Sequence, residues 1–458
     1  MSENKIENQE ILKAINAFSQ NNFKEAESIC MQVLSDENNN ADANHIIGCI
    51  RMGEKKYDES IGFINKALKQ KPDDIGILIS LGCVLSSKKD YKESILIFKK
   101  IIKLKDDISQ VYFYLGEALR KTEKLEDALV SFKKCLSISP DHIGCQLLIG
   151  IMYEELKKFD QAIESYKSCI QTNSDYPEPH IYLGMCFLLT GNYDEGWKEF
   201  QWRSKLKQKI YQIEFTKPEW KNEDLTNKTL VVIAEQSIGE TFQHIRFVKQ
   251  LAMEGARIIV VAPDDIIDVL KQQKWISDTI GYDDQIPEHD FYIYMINIAR
   301  NLEWNPKMDT QKHPYLTAEK QEFTNCIKGK KNIGFMNKAD ISLPNYNQIR
   351  LPEDKINTIF KKSGHNIIDL SLGYNFSELS SILQQLDLFI TIESDLCHLA
   401  GSLGVNTWLI IPVVPKYTWD INFKKSTPWY PCIELFRQEI YGDYSSVLKN
   451  IEQRLTDV

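Results

Sequence analysis

The sequence lacks a long apolar run, a secretory signal and an excess of positive charge. Its longest apolar stretches, such as TWLIIPVV, are far shorter than the roughly 20 residues that cross a bilayer. The first ten residues, MSENKIENQE, are polar and have no apolar core of the kind that directs secretion. We therefore expect a cytoplasmic protein without a membrane span.

The charge balance gives no indication of a nucleic-acid partner. The net charge of −9 is shared about evenly by the two halves of the chain, and neither half has the basic face that nucleic acid requires. The length of 458 residues exceeds one ordinary hydrophobic core, so we expect two or three domains.

A fixed period dominates the first two-fifths of the chain. Five glycines recur every 34 residues, each after a large apolar residue: Gly48, Gly82, Gly116, Gly150 and Gly184. A small residue lies twelve positions after each of these glycines, and a large residue lies four positions further on. This pattern resembles the tetratricopeptide repeat, in which small residues lie where paired helices touch. It predicts five repeats over 41–210, a degenerate sixth over 7–40, and an α-helical superhelix over residues 1–210.

The ten cysteines include no CxxC pair. Cys49 and Cys83 share one position of the repeat, and Cys135 and Cys169 share another, as small core residues do. The pattern favours reduced, buried thiols over disulfides or metal ligands. We accordingly predict no metal site.

A superhelix of this kind has a concave groove that suits an extended peptide. Phe113, Tyr114 and Tyr182 stand at positions that usually face inward, so we expect them to contact a protein partner. The alternative is that these rings only pack between repeats.

Strands alternate with helices after a connector at residues 211–225. The strand candidates are TLVVIA, RIIVVAP, KNIGF, NIIDL, DLFITI and NTWLII. This alternation favours parallel sheets covered by helices. The fold class expected for the whole chain is α followed by α/β, with Rossmann-like lobes at 226–315 and 316–458.

Three segments of this half carry a resemblance: AEQSIGETFQHIRF, LDLFITIESDLCHLAGSLGVNTWLIIP and STPWYPCIELFRQ. They are similar to motifs of the heptosyltransferase-like domain of glycosyltransferase family 9. The resemblance implies a two-lobed GT-B fold that binds a nucleotide-sugar donor in its cleft without a metal ion or other cofactor. The layout is also similar to that of protein O-GlcNAc transferases and flagellin glycosyltransferases, which implies a protein acceptor.

The chemistry of these segments fits sugar transfer, which needs a base for the acceptor and stabilisation of the leaving diphosphate. Glu240 begins a predicted helix and is the candidate base, and Gly239 permits a close approach of the backbone. A second helix beginning near Asp395 presents free N–H groups to an anion, and Ser394 adds a hydroxyl. The remaining donor-binding candidates around them are Thr241, Glu393, Leu396, Cys397 and His398. His398 is equally well explained as a core residue.

The chain departs from the family at several of these positions. Glu240 and Glu393 stand where relatives carry Asp, and each side chain is one methylene longer. Only Lys338 and Arg350 remain where relatives have an Arg-rich loop for the donor phosphates. Two hypotheses therefore stay open: an active transferase that modifies a protein held by the repeats, and a protein-binding scaffold with a degenerate transferase-like domain.

Overall fold

The structure is a computed structural model that describes residues 3–206, 215–306, 313–338, 350–371 and 373–456. The first four residues of the predicted connector, 211–214, lie outside the described residues. The chain divides into two compact units, Met1–Ser174 and Asp175–Val458. Each unit is described in turn.

The first unit is built from helices in antiparallel pairs. Helices α1 to α10 cover Glu3–Ser19, Phe23–Asp36, Ala41–Gly53, Tyr57–Gln70, Ile75–Ser87, Tyr91–Leu104, Ser109–Lys121, Leu125–Ile138, Ile143–Glu155 and Phe159–Thr172. The described residues of this unit contain no strand. The helical character and the 34-residue pairing predicted from the glycines are confirmed.

The repeat glycines lie where the two helices of a pair touch. A Cβ atom on Gly116 would lie 2.5 Å from the Phe132 ring, so only glycine admits this ring. In two repeats the small residue also forms a hydrogen bond across the pair, as Ser60 Oγ donates to the Gly48 carbonyl at 2.7 Å. One left-handed residue turns the chain within each pair, and these residues recur at the same spacing: Asn21, Lys55, Lys89, Glu123 and Lys157.

The second unit begins with the last predicted repeat. Helices α11 (Pro177–Leu189) and α12 (Tyr193–Phe200) lead into a short 3-10 helix, Gln201–Lys205. The Tyr193 hydroxyl donates to Asp420 Oδ2 at 2.7 Å, and Trp197 Nε1 donates to the Trp304 carbonyl at 3.1 Å. This helix pair is therefore joined to the α/β part of the same unit by buried hydrogen bonds.

The first sheet of the second unit is parallel throughout. Its strands are β1 (Thr229–Ile233), β2 (Arg257–Val261), β3 (Asp278–Ile280) and β4 (Phe291–Tyr294), in the order β3-β2-β1-β4. Helices α13 (Ile238–Met253), α14 (Asp264–Lys271) and α15 (Asn297–Asn301) connect or follow these strands. Strands β1 and β2 are the predicted runs TLVVIA and RIIVVAP, and four of the five residues in each are buried.

The second sheet has the order β6-β5-β7-β8-β10-β9 and is parallel except at the β9–β10 edge. Its strands are β5 (Asn332–Met336), β6 (Asn366–Asp369), β7 (Leu388–Ile392), β8 (Thr407–Ile411), β9 (Ser426–Thr427) and β10 (Tyr430–Arg437). Its helices are α16 (Glu353–Ser363), α17 (Phe376–Leu383), α18 (Asp395–Ser402) and α19 (Ser445–Leu455). The predicted change from α to α/β structure is confirmed.

The contact at Gly116 gives a test of the helix pairing. We expect Gly116→Ala to destabilise the protein by about 1–3 kcal/mol, because the new methyl group overpacks against Phe132. Gly62→Ala is the control: nothing lies within 4 Å of its Cβ, so higher helix propensity should stabilise the protein by up to about 1 kcal/mol. Denaturant unfolding of the full chain measures both. Equal midpoints for the two variants would contradict the packing.

Candidate functional site

The loop after β1 ends in a capping box that starts α13. The Ser237 backbone N–H and hydroxyl donate to Glu240 Oε2 at 3.3 and 3.1 Å, and the Glu240 N–H donates to Ser237 Oγ at 3.2 Å. This arrangement satisfies two backbone groups that a helix terminus otherwise leaves unpaired. Thr241 is buried in the same turn, where its hydroxyl donates to the Ser237 carbonyl at 3.1 Å. The Glu240 carboxylate is therefore part of the helix cap.

The second carboxylate oxygen of Glu240 also has a partner. Tyr417, on a 3-10 helix at Tyr417–Trp419, donates its hydroxyl to Glu240 Oε1 at 2.7 Å. Burial raises the pKa of Tyr417 well above its usual value, and the charge of Glu240 raises it further. Tyr417 thus stays a neutral donor and fixes the direction of the half-buried carboxylate.

The start of α13 meets the start of α18 directly. The Gly239 N–H donates to Asp395 Oδ1 at 2.6 Å, and a Cβ on Gly239 would lie 2.7 Å from both that oxygen and His398 Cδ2. A helix N-terminus attracts negative charge through its free N–H groups and its dipole. In this structure the attracted anion is the chain's own Asp395.

His398 lies in the core behind this contact. It is buried, its Nδ1 is 2.9 Å from the Tyr430 hydroxyl, and its ring stacks on Trp419 with centroids 5.2 Å apart. Burial holds the pKa of His398 well below its usual value, with Lys416 adding to the shift. Of the two explanations open from the sequence, packing as a neutral core residue is the one that these contacts describe.

The residues just before and within α18 are mostly buried as well. Glu393 is 2% exposed, and Leu396 and Cys397 pack in the interior, where burial raises the pKa of the Cys397 thiol. Ser394 is the N-cap residue of α18, but its side chain forms no cap hydrogen bond. Its Oγ is buried and has no hydrogen-bond partner among the residues that the structure describes.

The two basic candidates line a cavity that lies away from Glu240 and Asp395. Lys338 and Arg350 are exposed and line a space of about 410 Å³ at the carboxyl ends of β5 and β6, together with Asp369. No residue of 393–398 is among the described residues that line it. Arg350 pairs with Glu353, and residues 339–349 between the two basic positions lie outside the described residues. The predicted donor-binding set is thus divided between two places.

A buried ion pair next to the site was not anticipated. Arg203 Nη2 donates to Glu235 Oε1 at 2.6 Å and to Asn297 Oδ1 at 2.9 Å, and the two ionic side chains are 3% and 0% exposed. Burial raises the pKa of Glu235, and the charge of Arg203 opposes that shift. The position of Glu235 directly after β1 was the one available signal, since the carboxyl end of a parallel strand is where functional side chains gather.

His244, on α13, is a second residue near the site that was not predicted from the sequence. It is fully buried, and its Nδ1–H donates to the Glu240 carbonyl at 2.9 Å. Burial lowers the pKa of His244 to about 4, so the ring is neutral near pH 7. It supports the backbone of the same residue that Tyr417 orients.

The predicted groove residues are half-buried among other rings. The Phe113 centroid is 4.9 Å from that of His142 and 6.1 Å from that of Phe132, and Tyr114 stacks on Phe98 at 5.7 Å. The third residue, Tyr182, lies on α11 and belongs to the second unit. Packing between repeats therefore accounts for part of the surface of Phe113 and Tyr114.

Two family models match parts of the first unit. A tetratricopeptide repeat model matches residues 41–74, and a model described as anaphase-promoting complex, cyclosome, subunit 3 matches residues 87–169. Neither match reaches the second unit. The first unit therefore consists of tetratricopeptide repeats and supports the role of a protein-interaction scaffold.

No curated protein matches the chain. Among solved structures, a crystal structure of MamA is 21% identical and covers 35% of this chain and 93% of its own, with a TM-score of 0.33. YrrB, described as a TPR protein with an unusual peptide-binding site, is 20% identical over 37% of this chain and 88% of its own, with a TM-score of 0.34. The pilF protein of Pseudomonas aeruginosa is 15% identical over 46% of this chain and 96% of its own, with a TM-score of 0.41. TM-scores this low do not establish a shared overall fold.

Within the described ranges, no helix is both long enough and apolar enough to cross a membrane.

The unpaired hydroxyl of Ser394 gives a second test. We expect Ser394→Ala to stabilise the protein by about 1 kcal/mol, because it removes a buried polar group without a partner. Ser237→Ala is the matched control, since Ser237 is also an N-cap residue but forms cap hydrogen bonds, and its loss should cost about 1 kcal/mol. Thermal unfolding of both variants without ligand measures the difference. Similar losses in the two variants would show that Ser394 is paired.

Proposed function

We propose that this protein transfers a sugar from a nucleotide-sugar donor to a protein held by its repeats, with residues 226–315 and 316–458 as the two lobes of a GT-B fold. One observation carries the proposal: the helices that follow β1 and β7, one from each sheet, begin in direct contact at Gly239 and Asp395. Open parallel sheets bind ligands outside the carboxyl ends of their strands. At this contact the carboxyl end of β1, from one proposed lobe, lies near that of β7, from the other.

The residues at this point have the chemistry that transfer requires. Glu240 is the proposed base, because a carboxylate at the edge of the contact can take the proton of an acceptor hydroxyl. Tyr417 positions that carboxylate through its hydrogen bond to Oε1. The buried hydroxyl of Ser394 is a ready hydrogen-bond donor for the donor diphosphate. Lys338 and Arg350 line a separate cavity and are not part of this group.

The proposed acceptor is a protein bound by the tetratricopeptide repeats. Phe113 and Tyr114 are the proposed contacts on the first unit, because half-buried aromatic rings offer apolar surface at low entropic cost. Tyr182, on the second unit, is a separate candidate. Extended peptides suit such surfaces.

A second function, a protein-binding scaffold with an inactive α/β unit, is favoured by a specific pair of contacts. Both oxygens of Glu240 accept hydrogen bonds from the protein itself, and Asp395 fills the N-terminus of α13. To act as a base, Glu240 must exchange one of these hydrogen bonds for a hydrogen bond from the acceptor hydroxyl. A scaffold needs no such exchange.

A panel of nucleotide sugars tests the first function. We expect at least one of the UDP-, GDP-, ADP- or CMP-linked sugars to raise the melting temperature of the full chain, because a ligand that binds only the folded state stabilises it, by about 2.7 kcal/mol at 100 times its Kd. With that donor, Glu240→Gln should lower the release of free nucleotide by roughly 10²–10⁴-fold, because Gln cannot take the proton.

Glu378→Gln is the matched control for this variant. Glu378 forms the same kind of capping box with Asn375 at the start of α17, and Tyr417 does not contact it. Both variants should keep their capping boxes, because Gln also completes one, and Glu378→Gln should keep the full rate. A normal rate in Glu240→Gln would place the base elsewhere, and a panel without any stabilising donor would favour the scaffold.

Asp395→Ala separates the two functions at the α13 terminus. Removal of the carboxylate frees the Gly239 N–H for a phosphate, so an active transferase should bind its donor at least as tightly as the wild type does. If donor binding appears only in Asp395→Ala, the natural Asp395 excludes the donor. The second function, a protein-binding scaffold, is then the correct one. Thermal shift with the same panel gives the readout.

A further inference from the structure

Three side chains with metal-binding atoms converge between α8 and α9. Cys135 lies near the end of α8, His142 directly precedes α9, and Cys145 lies in its first turn. One ligand atom from each of the three lies within 4.8 Å of the other two. Both thiols are buried and the imidazole is half-buried. Sulfur and imidazole nitrogen are the ligand types that zinc prefers.

The equivalent junctions of the two preceding repeats have no such chemistry. One repeat earlier, the two cysteine positions hold Ile101 and Val111, and two repeats earlier they hold Ala67 and Ile77. All four of these residues are buried and apolar. The packing of a repeat junction therefore does not require sulfur or imidazole at these positions.

The two sulfur atoms are too close for a relaxed pair of thiols. Cys145 Sγ lies 2.7 Å from Cys135 Sγ, well inside the ordinary contact distance of two uncharged sulfur atoms. An ion bound at about 2.3 Å to each sulfur holds the two roughly 3.7 Å apart in tetrahedral geometry. Zinc binding therefore requires the two sulfur atoms to lie farther apart than they do here.

The charge balance suits a divalent ion. A divalent cation with two thiolates and a neutral imidazole has no net charge. A metal centre without net charge costs the least free energy to bury.

His142 also has a structural role that the test must separate. Its Nδ1 accepts the Cys145 N–H at 3.1 Å, which caps α9 as Asn40 and Asp74 cap α3 and α5. An imidazole is not needed for this purpose, because Asn and Asp are the preferred cap residues. A neutral imidazole has a single acceptor nitrogen, so the bound ion replaces this cap hydrogen bond.

Against the expectation of no metal site that the cysteine pattern gave, we propose that Cys135, His142 and Cys145 bind one zinc ion, which fastens α8 to α9 within the repeat array. The fourth position of the tetrahedron is left for water or a ligand from a bound partner.

The test uses the full-length chain, reduced and freed of metal with a chelator. Titration with Zn²⁺ against a chromophoric chelator should give one bound ion per chain, and Co²⁺ should give thiolate-to-cobalt charge-transfer absorption. His142→Asn keeps a good cap but removes the imidazole, so it should bind Zn²⁺ at least tenfold more weakly without a comparable loss of stability. Cys135→Ala should abolish the cobalt absorption.

Cys169→Ala is the matched control, because Cys169 holds the same repeat position one unit later and is also buried. It should bind Zn²⁺ like the wild type. Three results would overturn the proposal: no zinc bound by the wild type, zinc binding that is unchanged in His142→Asn and Cys135→Ala, or binding of Cu⁺ alone. An intact mass lower by two hydrogen atoms after air oxidation, together with absent zinc binding, would identify a disulfide pair instead.

Discussion

The backbone N–H groups at the start of α13 are taken by the chain's own carboxylates, and that constraint shapes the candidate site. The N-terminus of α13 takes the carboxylate of Asp395, which belongs to the other sheet. The close approach requires a residue without a side chain at 239, since any Cβ there meets Asp395 and His398 at 2.7 Å. The same contact brings the start of α18 against α13 and places Ser394 beside it. The geometry of the candidate site thus follows from a single backbone hydrogen bond.

The identity of Glu240 has a physical explanation in its cap. At the third position of a helix, Glu reaches back to the N-cap backbone, which is why the capping box favours Glu over the shorter Asp. The longer side chain also reaches the Tyr417 hydroxyl at 2.7 Å with its other oxygen. The extra methylene, which departs from the resembling family, therefore has a structural role in this chain.

The features predicted from sequence are those that depend on neighbours along the chain. The glycine period and the strands TLVVIA and RIIVVAP follow from local patterns, and they were correct. The helix that was predicted to begin at Glu240 begins two residues earlier, at Ile238. Contacts such as Tyr417 to Glu240 join residues 177 positions apart, and no local pattern indicates them. Lys338 and Arg350 were grouped with Ser394 through the family resemblance, which gave no indication that they line a separate cavity.

The two proposed functions differ in what the protein's own contacts must do. For catalysis, Tyr417 must release Glu240 or share it with an acceptor hydroxyl, and the donor phosphate must bind beside Asp395. Like charges at one helix terminus repel, so a diphosphate and Asp395 cannot both take the Gly239 N–H. A donor that binds with Asp395 in place must therefore use the other helix, α18, where the unpaired Ser394 hydroxyl lies. The α18 terminus, rather than the glycine loop, is accordingly the part of the site on which an active transferase depends.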